Sequence, residues 1–357
     1  MKIQLNDLFK KNPFLVNKIE KKIFFNNLIN NLNLHHFQKC KEYREVIDSL
    51  NCNIRKNLEL KECPALPINL FKEFDLMSIQ KKQIVKKIFS SGTSSNRLSK
   101  IYLDKENSIN QIKALSSIMQ NSFGKERLPM LIVSSDPKKT LKNNFNAKYA
   151  AILGFSIFGK EHTYVLDELG NFDFNKFLLF YEKNKNKKIL IFGFTGDIYT
   201  NLIKNKKLID HKIKLNNAIL LHGGGWKKLE KLKIDNRKFK DQLDNNLKIK
   251  RVINYYGLVE QTGSIFVEGD GCGYLHTTIF SDVIIRGKNF EILDFKKKGL
   301  VQLISCIPTS YPGHNILTED LGEIIGEDDC KCGYKGKYFK IHGRVKESDI
   351  RGCSDAR

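Results

Sequence analysis

The chain has 357 residues, 41% hydrophobic and 28% charged, with a net charge of +22 from 61 Lys and Arg against 39 Asp and Glu. These are globular values, and at about 150 residues per domain the length suggests two or three units; 7 prolines leave no room for long disordered linkers. The basic excess is Lys scattered beside Asn and Ile, as in KKLEKLKIDNRKFK, without an arginine-rich stripe or interleaved stacking aromatics, so it reads as a solvated surface and no nucleic-acid partner is expected.

The opening MKIQLNDLFKKNPF has no apolar h-region, and no apolar run approaches the ~18 residues of a membrane span. A cytoplasmic protein with no membrane span is expected. Eight Cys in a chain of this length do not make a disulfide scaffold, which leaves reduced thiols, metal ligation or catalysis.

In chain order, residues 1 to about 60 read as helical, with Phe14, Leu15, Ile19, Ile23 and Phe24 at helical spacing and a second amphipathic stretch through Tyr43, Val46, Ile47 and Leu50. Pro64 and Pro67 then impose an extended, turning segment, CPALPINLFKEFDLMSI. It leads to IFSSGTSSNRLSK, in which Ser90, Ser91, Gly92, Thr93, Ser94 and Ser95 stand in a row. Hydroxyl donors and a backbone free to turn suit a loop that cradles phosphates, although a plain Ser-rich surface loop has the same letters. After it, IYLD predicts a strand, Asp104 a helix N-cap, and Ile109, Ile112, Leu115 and Met119 one helical face.

MLIVS, TYVL, KILIFGF, AILLH and KRVINYY predict strands separated by helical stretches, the pattern of a largely parallel sheet. From Gly263 onward SIFVE, LHTTIF, DVIIRG, NFEILDF and LVQLIS are closely spaced strands of a β-rich portion. GFSIFGK resembles the start of a Walker loop, but Glu161 stands where Ser or Thr is needed and FSIF is apolar, so it reads as core.

Three further stretches carry chemistry. HGGGWK places Gly223, Gly224 and Gly225 after a strand, where a flat ligand can approach the backbone or the chain simply turns. In NYYGLVEQTG, Tyr255 and Tyr256 either stack on a base or fill the core, and Glu260 has the oxygen ligand that Mg2+ takes together with phosphates. TEDLGEI puts Asp320 in a turn before an apolar pair, positioned to accept ribose hydroxyls, and HGRVKESD offers Arg344 and Lys346 to phosphate.

The ordered set SSGTS, HGGGWK, YGLVEQTG, TEDLGE and GRVK resembles the adenylate-forming superfamily. LPINLFKEFDL, SKIYLD, HGGGWKK and GRVKESDIRGCSD are similar, more narrowly, to the LuxE-type acyl-protein synthetases of bacterial bioluminescence, with phenylacetate–CoA ligases as cousins. The resemblance runs from about Cys63 to Ser354.

It implies a ligase that activates a carboxylic acid, with a fatty acid expected, using ATP and Mg2+ to form an acyl adenylate. The acyl group then passes to a cysteine for delivery to an acyl reductase partner. By resemblance Ser90–Ser95 hold the β,γ-phosphates, Gly223–Gly225 and Tyr255–Gly257 frame adenine, Glu260 binds Mg2+, Asp320 holds ribose and Arg344 contacts ribose or phosphate. It also places the accepting thiol at Cys353, in RGCSDAR, where Arg351 and Arg357 favour the thiolate. A ligase releasing a CoA thioester and a non-catalytic partner of a reductase are the alternatives.

The implied fold is α/β, the large N-terminal domain of adenylate-forming enzymes. It comprises a helical region 1–85, a nucleotide-binding core 86–262, a β-rich portion 263–343 and a short tail 344–357. The sequence ends 13 residues after Arg344, so the C-terminal domain of on the order of 100 residues that carries a catalytic Lys in typical members is expected to be absent. Finally, Cys272, His276, Cys330 and Cys332 form two local pairs of soft ligands suited to structural Zn2+, as in phenylacetate–CoA ligase-like proteins, with buried thiols as the alternative because C-x-C is tight.

Overall fold

A computed structural model describes residues 4–90, 98–140, 147–224 and 234–345. The chain forms two compact units: Met1–Ile118 with Gly257–Phe266 and Tyr274–Arg357, and Met119–Tyr256 with Val267–Gly273.

The second unit is built on the predicted parallel sheet. Its strands lie side by side in the order Arg251–Tyr256, Ala218–Gly223, Ile189–Phe194, Leu128–Val133 and Gly159–Tyr164. The central ones are continuous apolar runs because both faces are covered. Helices Phe174–Asn184 and Asn236–Leu247 cross between strands, each capped by an aspartate: Asp173 accepts from Lys176 N–H at 2.9 Å and Asp235 from Lys238 N–H at 2.8 Å. Phe177, Phe180, Phe239 and Leu243 on these helices pack with Leu131, Ile191 and Leu220 of the strands into one core. Phe155 and Phe158 of the Walker-like stretch are buried, as core residues should be.

The first unit holds the β-rich portion, an antiparallel sheet in the order Ser281–Arg286, Gly299–Ser305, Asn315–Glu327, Lys337–Arg344 and Leu275–His276. Leu66 and Pro67 add alongside Ile316 and Leu317 in parallel. A separate hairpin pairs Lys86–Phe89 with Lys100–Leu103.

The first long helix, Lys18–Lys39, begins at its Asn17 cap. Phe14 and Leu15 therefore precede it, and the expected apolar face is not the one that packs: Leu15, Ile19 and Ile23 are exposed, while Phe24, Phe25, Ile29 and Leu32 are buried. The buried Lys21 rotates that face inward. Its Nζ donates to Ser281 O at 2.6 Å and lies 3.3 Å from Asp282, which Lys337 also engages at 2.9 Å.

Helix Lys105–Phe123 shows the same shift. Asp104 caps it through Asn107 N–H, but Ile109 and Ile112 are exposed, and Ala114, Leu115, Ile118 and Met119 form its buried face. NFEILDF is no strand: Phe290 turns with φ +62° and Gly287 N–H donates to Glu291 O, so only an isolated bridge, Arg286 to Ile292, remains.

Candidate active site and metal centre

In the first unit the Ser/Gly loop is closed at its base. Ser90 N–H donates to Ser99 O at 3.0 Å and Ser99 N–H returns a bond to Ser90 Oγ at 2.9 Å. Ser91, Gly92, Thr93, Ser94 and Ser95 lie outside the described residues, as do Gly225, Lys346 and Cys353.

Beside this base is Glu260, on the short turn Val259–Gln261 and 5% exposed. Burial pushes its carboxyl up, and the Ser99 hydroxyl, Lys72 and Arg344 draw it back only in part. The turn is packed from behind: a Cβ on Gly313 would come 2.3 Å from Glu260 O. The oxygens of the Glu260 carboxyl are of the kind a hard divalent cation takes together with phosphates.

Asp320 was expected in a turn but lies within the strand Asn315–Glu327, where buried and half-exposed residues alternate from Ile316 to Ile324 and the sheet pairing runs on through it. Its antiparallel partner is Arg344, and Arg344 Nε stands 3.6 Å from Asp320 Oδ1. Thr318 Oγ1 donates to Val301 O at 2.7 Å and accepts from Asp320 N–H at 3.1 Å, which fixes the aspartate backbone. Glu260, Asp320 and Arg344 thus belong to one unit with the base of the Ser/Gly loop.

In the second unit Gly223 and Gly224 end the strand Ala218–Gly223. Gly223 pairs with Tyr255, and a Cβ there would lie 2.5 Å from the Tyr255 ring, so glycine at 223 admits the tyrosine. That ring is in the core, 4.7 Å from Phe155 and 6.4 Å from Phe192 between centroids. Tyr256, on the opposite face of the strand, is half-buried, and Gly257 after it is exposed.

His222 is a residue that sequence reasoning passed over. Thr195 Oγ1 lies 3.0 Å from His222 Nδ1 and 3.2 Å from Gly223 O, holding the ring beside the end of the strand. Burial brings the imidazole down to about 3, so it is neutral. Ser99, whose hydroxyl bears on the Glu260 carboxyl, lies inside the quoted motif SKIYLD and was passed over as well.

Of the four residues read as soft ligands, His276, Cys330 and Cys332 come together in the first unit, and Cys272 belongs to the second. Cys332 Sγ is 3.3 Å from His276 Nε2 and 3.4 Å from Cys330 Sγ. Gly333, with positive φ, makes the tight turn after this C-x-C pair, its N–H donating to Cys330 O at 2.9 Å. Two thiols and an imidazole at this spacing offer three of the ligands of a tetrahedral ion with Zn–S bonds of about 2.3 Å.

The model of the family described as LuxE, acyl-protein synthetase, matches residues 3–357. The chain belongs to the LuxE acyl-protein synthetase family. It is 23% identical over 328 residues to the long-chain-fatty-acid–luciferin-component ligase of Aliivibrio fischeri, covering 89% of this chain and 84% of that protein. To the Vibrio harveyi ligase of the same name it is 21% identical, covering 94% and 87%.

Among solved structures, 2-hydroxyisobutyryl-CoA ligase in an open conformation with 2-HIB-AMP and CoA superposes with a TM-score of 0.71 at 12% identity, covering 94% of this chain and 77% of that one. ATP-bound MatB from Rhodopseudomonas palustris gives 0.51 at 14% identity, covering 80% and 55%. This LuxE-family chain is therefore a ligase on the mixed α/β fold of the adenylate-forming enzymes. Among its described residues no helix is long and apolar enough to cross a membrane.

Proposed function

We propose that this chain uses ATP to convert a long-chain fatty acid into an acyl adenylate, then carries the acyl group as a thioester on Cys353 for an acyl reductase partner. The observation that carries the reading is the grouping of Glu260, Asp320 and Arg344 in one unit with the hydrogen-bonded base of the Ser/Gly loop. A buried acid beside phosphate-loop hydroxyls and an aspartate–arginine pair supply what adenylation needs: a metal ligand, a ribose acceptor and a fixed cation. Magnesium held by Glu260 would neutralise charge on the phosphates. Ser90–Ser95 would donate to the β,γ-phosphates, and Asp320 would accept from the ribose hydroxyls. Gly223–Gly225 with Tyr256 and Gly257 would border adenine, and Tyr255 would support that border from the core. Lys346 would add a second cation to Arg344. Zinc on Cys272, His276, Cys330 and Cys332 would be structural.

The chain's relatives support the substrate class, since both bacterial ligases are named for long-chain fatty acids. The thiolate at Cys353 would attack the acyl carbonyl of the adenylate, releasing AMP. Arg351 and Arg357 stabilise that nucleophile, and its tether after Arg344 raises its effective concentration. Acid-dependent ATP–pyrophosphate exchange across a panel of carboxylic acids tests the first half, with long-chain acids expected to be best. Cys353→Ser should keep that exchange and lose hydroxylamine-sensitive labelling of the protein by radioactive acid. Labelling that persists in the mutant would place the thioester on another cysteine, and free CoA thioester in place of labelled protein would reject the protein acceptor.

A further inference from the structure

The hairpin of Ser281–Arg286 with Gly299–Ser305 is the outermost pair of the antiparallel sheet in the first unit, and its connection, residues 287–298, reads GKNFEILDFKKK. The connection is fastened at both ends. Arg286 clamps its start: Nε donates to Gln302 Oε1 at 2.7 Å, Nη1 to Phe290 O at 3.0 Å and Nη2 to Lys61 O at 2.8 Å. Gly287 N–H donates to Glu291 O at 2.8 Å and Leu293 N–H to Ile285 O at 2.9 Å. Lys296 N–H donates to Ile324 O at 2.7 Å, which ties the far side to the next strand of the sheet.

Of the four large apolar residues on this loop, Leu293 packs inward, its Cδ1 2.8 Å from where a Cβ on Gly299 would stand. Phe290, Ile292 and Phe295 stay 59%, 45% and 45% exposed. Phe290 is also strained, with φ +62°. A bulky side chain in the left-handed region costs free energy, and Phe290 gains little burial in return, so the fold alone would favour Gly or Asn at this turn. Lys288, Lys296, Lys297 and Lys298 flank the apolar residues, all of them exposed. Against them stand Asp294 and Glu291, and the Glu291 carboxylate is turned back to accept from Asn289 N–H at 2.9 Å.

Single apolar side chains scattered over a surface need no account, but three within six residues, beside four lysines on a fastened loop, do. Aromatic rings settle at the headgroup level of a bilayer, and lysine stems lie along apolar surface while their ammonium groups reach lipid phosphates. An acidic protein could match the lysines, but projecting rings would need a receiving pocket in it, whereas a bilayer takes them without one. We propose that residues 287–298 dock this chain on an anionic lipid surface, with Phe290, Ile292 and Phe295 entering the interface and the four lysines engaging lipid phosphates. Such binding is peripheral and needs no membrane-crossing helix. The docking stands on the loop alone; its use, taking up long-chain acid where such acids partition, rests on the adenylation reading above.

The test is co-sedimentation of the full chain with vesicles of phosphatidylcholine alone and of phosphatidylcholine mixed with phosphatidylglycerol. The wild type should bind the mixed vesicles, more weakly as salt rises, and leave the neutral ones unbound. Phe290→Asn should keep or raise the melting temperature and yet weaken mixed-vesicle binding about fivefold, and adding Phe295→Ser should bring the loss past about tenfold. Lys296→Gln with Lys297→Gln and Lys298→Gln should lower binding as much and flatten its salt dependence. A wild type that ignores the mixed vesicles overturns the proposal. Variants that bind them like the wild type also overturn it, because the chain's other lysines would then carry the binding. So does a Phe290→Asn chain that melts well below the wild type, which would make the ring a support for the fold. Acid-dependent pyrophosphate exchange with the acid supplied in solution separates the two readings. Vesicle binding without exchange in the wild type sinks the adenylation reading alone, and exchange without vesicle binding sinks this one alone.

Discussion

Asp282 shows how a single buried charge can hold two elements. Burial alone would push its carboxyl up, but Lys21 and Lys337 outweigh it and bring the group down to about 2. The sign follows: the carboxylate stabilises the folded state above its unfolded value of ~4, and that contribution is lost as pH falls from about 4 towards 2. Asp282→Asn leaves Lys21 buried without a counter-charge, so stability at neutral pH should fall by about 3–5 kcal/mol. Thermal and urea melts check this, and between pH 4 and 2 the mutant should lose less further stability than the wild type. An unchanged neutral melt would mean that water already reaches the ammonium. Lys21 in the sequence is one Lys among many; that it points inward depends on Ser281 and Asp282, far along the chain, and no local pattern reveals it.

Elements with uniform surroundings were the legible ones. The parallel strands are apolar on both faces, so MLIVS, KILIFGF and AILLH read correctly without knowledge of their neighbours. Helices covered on one face were found as helices but turned wrongly, since Ile19, Ile23, Ile109 and Ile112 satisfy the period while longer-range packing chose the adjacent stripe. The site was legible as motifs in order. What those motifs pack against was not, as with Tyr255 filling the space above Gly223. Gly263, three residues after Glu260, makes the same point in testable form. It has φ +87°, and a Cβ there would lie 2.7 Å from Gln111 Cα, which is backbone and cannot swing away. Gly263→Ala should cost about 1–3 kcal/mol or more through left-handed strain and displace the Glu260 turn. A denaturation curve and the magnesium dependence of pyrophosphate exchange measure the two effects, and wild-type values in both would show that the turn relaxes freely.

For the whole molecule, the cysteine–histidine cluster predicts about one zinc ion per chain, measurable by elemental analysis. Because metal affinity would be folding free energy here, a strong chelator should lower the melting temperature, and Cys330→Ser with Cys332→Ser should reproduce that loss and abolish the chelator's effect. A metal-free preparation with an unchanged melt would leave the four residues as packed thiols and an imidazole.

The reciprocal bonds between Ser90 and Ser99 have a different reach. A loop whose two ends are tied to each other settles its closure entropy at the base, and that cost grows only slowly with length. The hairpin Lys86–Phe89 with Lys100–Leu103 is thus closed by its own bonds at the two serines. Segments of other lengths grafted between the two serines should therefore leave the melting temperature of the scaffold nearly unchanged, which thermal melts of such chimeras check. Turnover can therefore drift or be engineered at this position while the stability of the scaffold stays where it is.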